Sequence, residues 1–384
     1  SGDPIWVKAG TYLPTTSPAK GNLTNRNLCF TLNNGVKIYG GFAGTESAVT
    51  ERAIKDNPTI LSGDLNGNDN YTGASWTGMD ENCYNVIFIA PGSTLLNSTV
   101  LDGFVVQGGN ANNAGKAGIN TISGGALYVG DPTYSNTMQA LFQNIEFRNN
   151  FGYNGGAVYN EGTGTNISFE NCLFHSNKAY NGGAIYSTGN TWPYINNSTF
   201  VKNSATNSGG AIANFEFSYS NIYSSIFYEN TATTGNQIYI NFSAKGDNPK
   251  SAAGVILNKS CYSNQSNDVV VNPVNYTFLF NTQDCITDDP KLVDADNNDF
   301  RIYGDSPCVD QGENSENDLL TDIRGTGFGR KLSKTDGTAG NIDMGAYEYK
   351  YNVDPATALS TPARPVALAA TDISYTSFTA NWNL

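Results

Sequence analysis

Several residue types on which catalytic and metal-binding proteins depend are scarce in this chain. Its 384 residues include one histidine, His175, and six cysteines without a Cys-x-x-Cys pair, which argues against a Cys/His zinc site. A Ser-His-Asp hydrolase is also disfavoured, because there is no Gly-x-Ser-x-Gly motif to supply the serine. No apolar run approaches the roughly 20 residues that span a bilayer, so we expect no membrane insertion of this fragment.

Positive charge is scarce as well. The chain has 21 lysine and arginine residues against 34 acidic residues, and the net charge of −13 argues against nucleic acid or an anionic membrane as a partner. Charged residues make up only 14% of the chain, whereas 41 residues are glycine. Few helical proteins have this composition, and neutral polar side chains must cover most of the surface.

What the sequence has instead is internal repetition. Gly-Gly-Ala begins at positions 124, 155, 182 and 209, and a degenerate copy begins at Gly235. Phe-x-x-Asn begins at positions 147, 174, 200 and 227, so both motifs recur about every 27 residues. Leucine-rich repeats have a similar period but need more leucine, whereas short apolar segments between Asn and Gly are typical of short strands. The repeat predicts an all-β solenoid, a parallel β-helix.

Equivalent residues of successive coils should stack about 4.8 Å apart, because each strand hydrogen-bonds to its counterparts above and below. One predicted inward stack is aliphatic and consists of Leu127, Val158, Ile185, Ile212 and Ile238. A second is aromatic and consists of Phe147, Phe174, Phe200 and Phe227. The asparagines at positions 150, 177, 203 and 230 should hydrogen-bond along the stack. The repeated glycines should occupy bends with positive φ or places where backbone crowds backbone.

These paired motifs resemble the repeats of chlamydial polymorphic outer-membrane proteins, within the pectin-lyase-like superfamily. Four further stretches are similar to Bacteroidetes surface proteins with a choice-of-anchor β-helix domain: residues 5–12, 39–46, 101–104 with 108–110, and 342–348. The resemblance implies a right-handed, single-stranded, three-sided parallel β-helix over residues 1–350, with a repeat core at about 100–285. It also implies an N-terminal cap, a C-terminal closing segment at about 285–350, and an extracellular or outer cell-surface location on a bacterium. The activity of this family is mostly unknown.

The sequence changes in character after residue 350. Residues 351–365 contain several prolines and are predicted to be a linker. Residues 366–384 resemble the start of a fibronectin type III domain, of which Ser377 to Trp382 would form the first strands. Such a sandwich needs about 100 residues, so we expect the natural protein to continue.

Two acidic loops are predicted to bind calcium, which prefers oxygen ligands. In the first loop, the predicted ligands are Asp64, Asn66, Asn68 and Asp69. In the second, they are Asp294, Asp296 and Asp299. The alternative is that both are solvated turns, since Asp and Asn favour turns on their own account. No other cofactor is required by the sequence.

Four tyrosines share one repeat position, which Ala213 interrupts: Tyr128, Tyr159, Tyr186 and Tyr239. Alternation along a strand places them opposite the aliphatic stack, where they would form an exposed strip able to stack on sugar rings. The alternative is that neighbouring rings cover one another and stabilise the sheet without a ligand.

Catalytic residues are not evident in the repeat. A lyase similar to pectate lyases needs calcium ligands and a basic residue, and a polygalacturonase-like hydrolase needs paired carboxylates. The charged residues of the repeat region fall on different coil positions, and an acidic polysaccharide would meet a repulsive surface. His175 shares its position with Arg148, Val201 and Tyr228, which predicts an exposed, unconstrained side chain. Among the cysteines, Cys172 is predicted to be a buried thiol. Cys261, Cys285 and Cys308 lie close enough in sequence for one disulfide, for which Cys285 with Cys308 is the favoured pair.

The sequence therefore favours a secreted, monomeric adhesion protein that binds glycans or other cell-surface components. The alternatives are a polysaccharide lyase or glycoside hydrolase of the same superfamily, and a structural stalk that displays downstream modules.

Overall fold

The fold is a right-handed parallel β-helix, as predicted. The computed structural model describes residues 3–17, 25–72, 76–112, 121–130, 137–241, 253–272, 280–356, 366–367 and 382–383. Four parallel sheets run along the helix, and each complete coil contributes one strand to each. The expected three sides are thus four stacks of strands. The extra corner lies between the first two sheets, where Asn144, Asn171, Asn197 and Ser224 have positive φ.

The strands of the four sheets follow in chain order. Sheet 1 contains Ile5–Lys8, Lys37–Phe42, Val100–Asp102, Leu141–Gln143, Ser168–Glu170, Tyr194–Asn196, Tyr219–Tyr223, Gly254–Asn258 and Phe280–Gln283. Sheet 2 contains Gly10–Tyr12, Thr59–Ser62, Val105–Gln107, Glu146–Arg148, Leu173–His175, Thr199–Val201, Ile226–Tyr228 and Cys261–Tyr262. Sheet 3 contains Asn110–Ala111, Phe151–Asn154, Lys178–Asn181, Ser204–Ser208 and Thr231–Thr234. Sheet 4 contains Ile87–Ile89, Leu127–Gly130, Val158–Glu161, Ile185–Thr188, Ile212–Asn214, Ile238–Asn241 and Val269–Asn272.

The remaining elements are short. One antiparallel pair joins Leu292–Asp294 to Asp299–Ile302, and another joins Val366–Ala367 to Trp382–Asn383. Single 3-10 turns occupy Asn25–Asn27, Val49–Glu51, Met79–Glu81, Ala295–Asn297 and Asn314–Glu316. No helix in the described ranges is both long enough and apolar enough to cross a membrane. Apart from the 366–367 and 382–383 pair, the predicted fibronectin type III start lies outside the described residues, as do residues 357–365 of the predicted linker.

Both predicted inward stacks are confirmed. The five aliphatic residues pair in register along sheet 4 and are fully buried. The four phenylalanines are also fully buried in sheet 2, with successive ring centroids 4.8, 4.6 and 4.7 Å apart. These rings lie nearly parallel because their strands are in exact register, and they fill the interior of the helix without a gap between coils.

The predicted asparagine ladder is confirmed at the corner between sheets 2 and 3. The side-chain amide of Asn150 donates to Oδ1 of Asn177 at 3.0 Å, Asn177 donates to Asn203 at 2.9 Å, and Asn203 donates to Asn230 at 2.9 Å. Each amide also donates to a backbone carbonyl of the coil before it, such as Phe147 for Asn177 at 2.9 Å. The ladder thereby satisfies buried backbone groups that the strands leave unpaired at this corner.

The two glycines of the repeat have different roles. The first takes a left-handed conformation, with φ of 69° at Gly155 and 63° at Gly182. The second lies against the next coil: a Cβ on Gly156 would be 2.2 Å from the carbonyl oxygen of Gly183. Both parts of the prediction hold, one for each glycine of the pair.

The C-terminal segment was expected to close the end of the helix, but most of it runs along its side. We call residues 284–356 the C-terminal flank. It follows the corner between sheets 1 and 2, where Gly345 N donates to Ser224 O at 2.7 Å and Ala346 N donates to Thr199 Oγ1 at 3.0 Å. It also reaches the first coils, where Lys55 N donates to Arg324 O at 3.2 Å. The positive-φ corner explains this path, because it leaves polar groups that the flank satisfies.

The 342–348 motif, which carried part of the family resemblance, is the part of the flank that docks on this corner. Asn197 donates its side-chain amide to Asp343 O at 2.8 Å. Gly345 has a φ of 89°, and a Cβ there would lie 2.7 Å from Ile226 and 2.8 Å from Thr199. Asp343 and Glu348 of the motif are buried as well, and Glu348 pairs with Arg330 at 3.3 Å. These contacts give the motif a structural role.

Candidate functional site

The predicted tyrosine strip on sheet 4 is not exposed. Tyr128, Tyr159 and Tyr239 are 1%, 3% and 8% exposed, and Tyr186 is half-buried. Tyr128 stacks on Tyr159 with ring centroids 5.3 Å apart, and Tyr159 stacks on Tyr186 at 5.6 Å. Phe215 fills the gap that Ala213 leaves, since its ring lies 4.9 Å from Tyr186 and 5.6 Å from Tyr239. The strip prediction was wrong, because the rings cover one another, as the alternative held.

An exposed aromatic pair lies on sheet 3 instead. Tyr153 and Tyr180 are 40% and 39% exposed, and their rings stack with centroids 4.6 Å apart and planes 12° from parallel. They occupy equivalent positions of adjacent strands, two residues before the left-handed glycine. The signal was present in the sequence, since Tyr-Asn-Gly-Gly occurs at 153–156 and again at 180–183.

A groove runs beside this pair, with a volume of about 680 Å³. Four parts of the chain form it: Tyr71, Thr72 and Trp76 on one side, the outer face of sheet 2, Lys178 at the start of a sheet 3 strand, and Asn298 of the C-terminal flank. A second recess of about 490 Å³ shares Trp76 and Lys178 with it and is also lined by Phe151. Phe151 and Lys178 each lie two residues before one of the exposed tyrosines, on the same face of their strands. The groove and the tyrosine pair therefore form one surface.

The groove gathers positive charge that is scarce elsewhere in the chain. Arg148, Lys178 and Lys202 line it together with His175. The Lys178 ammonium lies 4.2 Å from the centre of the Trp76 ring, a cation–π contact. Arg148 pairs at 2.8 Å with Glu146 of the same strand, so part of the positive charge is neutralised. Lys202 pairs with Asp296 at 2.5 Å, so Arg148 and Lys202 are both ion-paired, although the residues that line the groove include no carboxylate.

His175 is buried rather than exposed, with 3% of its surface accessible. Its Nε2 lies 2.9 Å from Oε1 of Glu146 on the adjacent strand. Its ring packs 4.8 Å from that of Phe300 in the C-terminal flank, which covers it. The sequence prediction failed because it compared only coil positions, whereas Phe300 of the flank covers His175 and also packs with Val201, the equivalent residue of the next coil.

We expect Glu146 to contribute to the stability of the protein at neutral pH and to lose this contribution at acidic pH. Burial alone would raise its pKa, but hydrogen bonds and charge from His175 and Arg148 outweigh burial and lower the pKa from 4.5 to about 2. A lowered pKa stabilises the folded state above about pH 4.5, and this contribution is lost as the pH falls towards 2. The free energy of unfolding of the unchanged protein should fall between about pH 5 and pH 2. In Glu146→Gln this fall should be smaller by about 2 kcal/mol. Urea unfolding at a series of pH values measures this.

The matched control for this experiment is Glu229→Gln. Glu229 follows the sheet 2 strand Ile226–Tyr228 and also lies near a basic side chain, but it is 45% exposed and 3.8 Å from Lys202. Its substitution should leave the acid profile close to that of the unchanged protein. Identical profiles for the unchanged protein and Glu146→Gln would contradict the assignment.

The first acidic loop lies next to the groove, and the structure adds a residue to it. Carboxylate oxygens of Asp64, Asp69 and Glu81 lie within 4.8 Å of one another. Glu81 was not predictable from the loop itself, because it is 12 residues beyond Asp69 and reaches the loop only through the fold. The Asn68 side-chain amide contacts both the Gly78 carbonyl and the Glu81 carboxylate. The side chain of Asn66, the remaining predicted ligand, is exposed.

Hydrogen bonds within the loop orient this cluster. Asp64 accepts from the backbone N–H of Gly67 at 2.7 Å, which holds the turn. Asp69 accepts from the hydroxyl of Tyr71 and, at 2.7 Å, from the amide of Asn82. Burial raises the pKa of Asp69, and the charges of Asp64 and Glu81 raise it further. A cation at this position would relieve the repulsion among the three carboxylates. Through Tyr71, the cluster is connected to the groove wall.

The second predicted calcium loop does not assemble a cluster. Asp294 caps the adjacent 3-10 turn, accepting from Asn297 N at 3.2 Å. Asp296 pairs with Lys202 at 2.5 Å, and Asp299 pairs with Arg301 at 2.5 Å. The three carboxylates are thus engaged separately, two of them by positive side chains, which corrects the prediction of a common site.

The predicted disulfide is also corrected, because Cys285 and Cys308 lie in different apolar clusters. Cys285 packs against the interior of the helix, with Sγ 3.4 Å from Leu257 O. Cys308 is fully buried in a second cluster, which also contains Cys261. The prediction for Cys172 is confirmed, since this free thiol is fully buried.

Comparison with known proteins supports the repeat. Residues 171–188 and 197–214 match the Chlamydia polymorphic membrane protein (Chlamydia_PMP) repeat. Each match runs from the sheet 1–sheet 2 corner through the asparagine ladder and the paired glycines to sheet 4. A search of curated proteins found no match. Over these two stretches, then, the chain is similar to the Chlamydia polymorphic membrane protein repeat, and it folds as a parallel β-helix.

Proposed function

We propose that this chain is a bacterial cell-surface adhesion protein that binds glycans in the groove and on the adjoining tyrosine pair. The observation that carries the proposal is the exposed, stacked pair Tyr153 and Tyr180 beside the Trp76 wall. Exposed parallel rings suit the apolar faces of sugars. The N–H groups of Arg148 and Lys202 in the groove suit sugar hydroxyls or carboxylates.

The proposed location rests on likeness of sequence. The matched repeat is that of a Chlamydia polymorphic membrane protein, which supports a surface location. The four stretches similar to Bacteroidetes choice-of-anchor proteins, and the fibronectin type III-like start after residue 365, are further reasons to place the protein outside the cell. We infer a secreted or surface-anchored protein of a Bacteroidetes organism.

A glycan-array screen that includes neutral and uronic acid oligosaccharides tests the proposal. We expect binding without product release from polysaccharides assayed in the same samples. Product release would instead establish a lyase or a hydrolase. The absence of both binding and release would contradict the proposal and leave a structural stalk.

Removing the exposed rings should weaken the binding that the array reveals. We expect Tyr153→Ala combined with Tyr180→Ala to lower affinity at least about tenfold, which corresponds to about 1.4 kcal/mol, because the stacking surface is lost. Titration by calorimetry against the best array ligand measures this. Trp192→Ala is the matched control, since Trp192 is 51% exposed but precedes a strand of sheet 1. Equal affinity of the double variant and the control would contradict the assignment of the site.

We also propose that Asp64, Asp69 and Glu81 bind Ca²⁺. Besides the carboxylates, the site has the fully buried Asn82, whose amide lies against Asp69 and whose Oδ1 accepts no hydrogen bond. An amide oxygen of this kind is a calcium ligand in other proteins, and a bound cation would satisfy it. The Asp69 hydrogen bond to Tyr71 would then couple the cation to the groove wall.

Terbium luminescence tests the calcium site. Tyr71 and Trp76 lie with ring centroids 5.3 Å apart next to the cluster, so Tb³⁺ bound there should luminesce when these rings are excited. We expect Ca²⁺ to displace the signal, Asp69→Asn to abolish it, and Asp294→Asn to leave it unchanged. Loss of glycan binding on chelation would show that the cation supports the groove. A signal that survives Asp69→Asn would contradict this site.

A further inference from the structure

Two buried thiols meet where the C-terminal flank joins the last coils. Cys261 lies in the last strand of sheet 2, and Cys308 lies in the flank. Both are fully buried and share one apolar cluster with Ile226, Ile302 and Met344. After burial, the Cys261 side chain is the next cause that raises the pKa of Cys308. Membership of one small cluster makes the two side chains neighbours in space, although 46 residues lie between them in the chain.

The backbone on both sides holds this arrangement. Cys261 N donates to Ser225 O at 2.8 Å, which fixes it to the preceding coil. Cys308 N donates to Ser306 Oγ at 3.1 Å, and Cys308 O accepts from Met344 N at 3.0 Å within the docking motif. The Cys261 thiol donates to Asp288 O at 3.3 Å, a hydrogen bond that is lost when the thiol is oxidised.

The other four cysteines have different surroundings. Cys172 lies inside the helix and donates to Phe142 O at 3.4 Å. Cys285 faces the interior beside Leu257. Cys29 and Cys83 belong to the N-terminal coils. Among the six cysteines, all of which the structure describes, Cys261 and Cys308 are the pair that connects the coils to the flank.

We propose that Cys261 and Cys308 form a disulfide when the protein meets a small oxidising disulfide such as oxidised glutathione. One cysteine thiolate attacks oxidised glutathione, forms a mixed disulfide and releases one glutathione thiolate. The second cysteine thiolate then attacks the protein sulfur of that mixed disulfide and releases the second glutathione. Two cysteine thiols are thereby oxidised, one glutathione disulfide is reduced to two thiols, and the two cysteine protons pass to the released thiolates.

This bond would fasten the flank to the last coils. The flank forms one side of the groove through Asn298, and its Asp296 pairs with Lys202. A cross-link at this point lowers the conformational entropy of the unfolded chain, and this stabilises the folded state relative to the unfolded one. Burial raises the pKa of Cys308, so the reaction should be slow and should speed up when the flank is loosened by mild denaturant.

Peptide mapping of the whole chain tests the proposal. The protein is incubated with oxidised glutathione in mild denaturant, returned to buffer, alkylated without reduction, and cleaved before aspartates. Asp268 and Asp284 lie between Cys261 and Cys285, so this cleavage separates the two cysteines, whereas trypsin leaves both in one peptide. We expect a linked peptide pair that contains Cys261 and Cys308. A Cys285–Cys308 link, or six alkylated thiols, would overturn the proposal.

A thermal measurement adds a second readout. The oxidised protein should unfold about 5 °C higher than the same sample after reduction. Cys285→Ala should keep this difference, and Cys308→Ala should remove it. Because both samples of a variant carry the same substitution, any effect of the substitution itself on folding cancels in the difference. A difference that persists in Cys308→Ala would also count against the proposal.

Discussion

Gly183→Ala adds a single methyl group and should strongly destabilise the protein. The added Cβ would lie 2.1 Å from the carbonyl oxygen of Gly210 and 2.8 Å from the backbone nitrogen of Ser204. Neither group can move away, because Gly183 N is itself hydrogen-bonded to Gly209 O at 2.8 Å and the strands on both sides fix the spacing of the coils. We expect a loss of at least about 4 kcal/mol in the free energy of unfolding. Urea unfolding followed by circular dichroism measures the loss.

Gly329→Ala is the matched control for this prediction. Its φ is not positive, and the nearest atom to an added Cβ is Cδ2 of Leu332 at 3.8 Å, an ordinary contact. This substitution should change the free energy of unfolding by less than about 0.5 kcal/mol. If the two variants were equally stable, close packing of backbone between coils could not be what the second glycine of the repeat provides.

Asn177→Ala should cost about 4 kcal/mol, because it breaks the asparagine ladder at its middle. The buried carbonyl of Phe147 loses a donor at 2.9 Å, and Oδ1 of Asn203 loses another at 2.9 Å. On the other side, both the backbone N–H and the amide of Asn150 lose the oxygen of Asn177 as an acceptor. Each buried group left unpaired costs about 1–3 kcal/mol. The same urea experiment measures the sum.

Thr206→Ala is the control for the ladder, since Thr206 is exposed in the next strand of sheet 3 and contributes its carbonyl, not its side chain, to Thr233. We expect its effect to stay below about 0.5 kcal/mol. Equal stability of Asn177→Ala and Thr206→Ala would mean that water enters this corner and replaces the lost partners, against the complete burial of Asn177.

The interior of the solenoid was predictable because each coil repeats the environment of the one before. Phe174 and Phe200 face the same neighbours, so one position in the repeat predicts the stack. The same argument holds for Ile185 and Ile212 on sheet 4. Repetition predicts which residues lie above one another and, for an apolar side chain, that it points inward.

The outer surface was less predictable, because alternation along a strand says which side a residue is on but not what lies there. Tyr159 is on the outer side, yet rings from both neighbouring coils cover it. Tyr180 is also on the outer side and has one stacking partner, Tyr153, and it remains exposed. The contacts that each ring makes with the neighbouring coils, and not its place in the strand, decided which ring became available to a ligand.

The sequence by itself determined the parallel β-helix, its inward stacks and its asparagine ladder, since these depend on contacts between residues one period apart. Only the tertiary structure decided the site. Lys178 and Trp76, Glu81 and Asp64, and Cys308 and Cys261 come together although no repeat relates them. The physical reason is the position of two non-repeating parts of the chain, residues 64–72 with 76–81 and the C-terminal flank. They lie along the helix where the corners leave polar groups to be satisfied, and the groove forms between them.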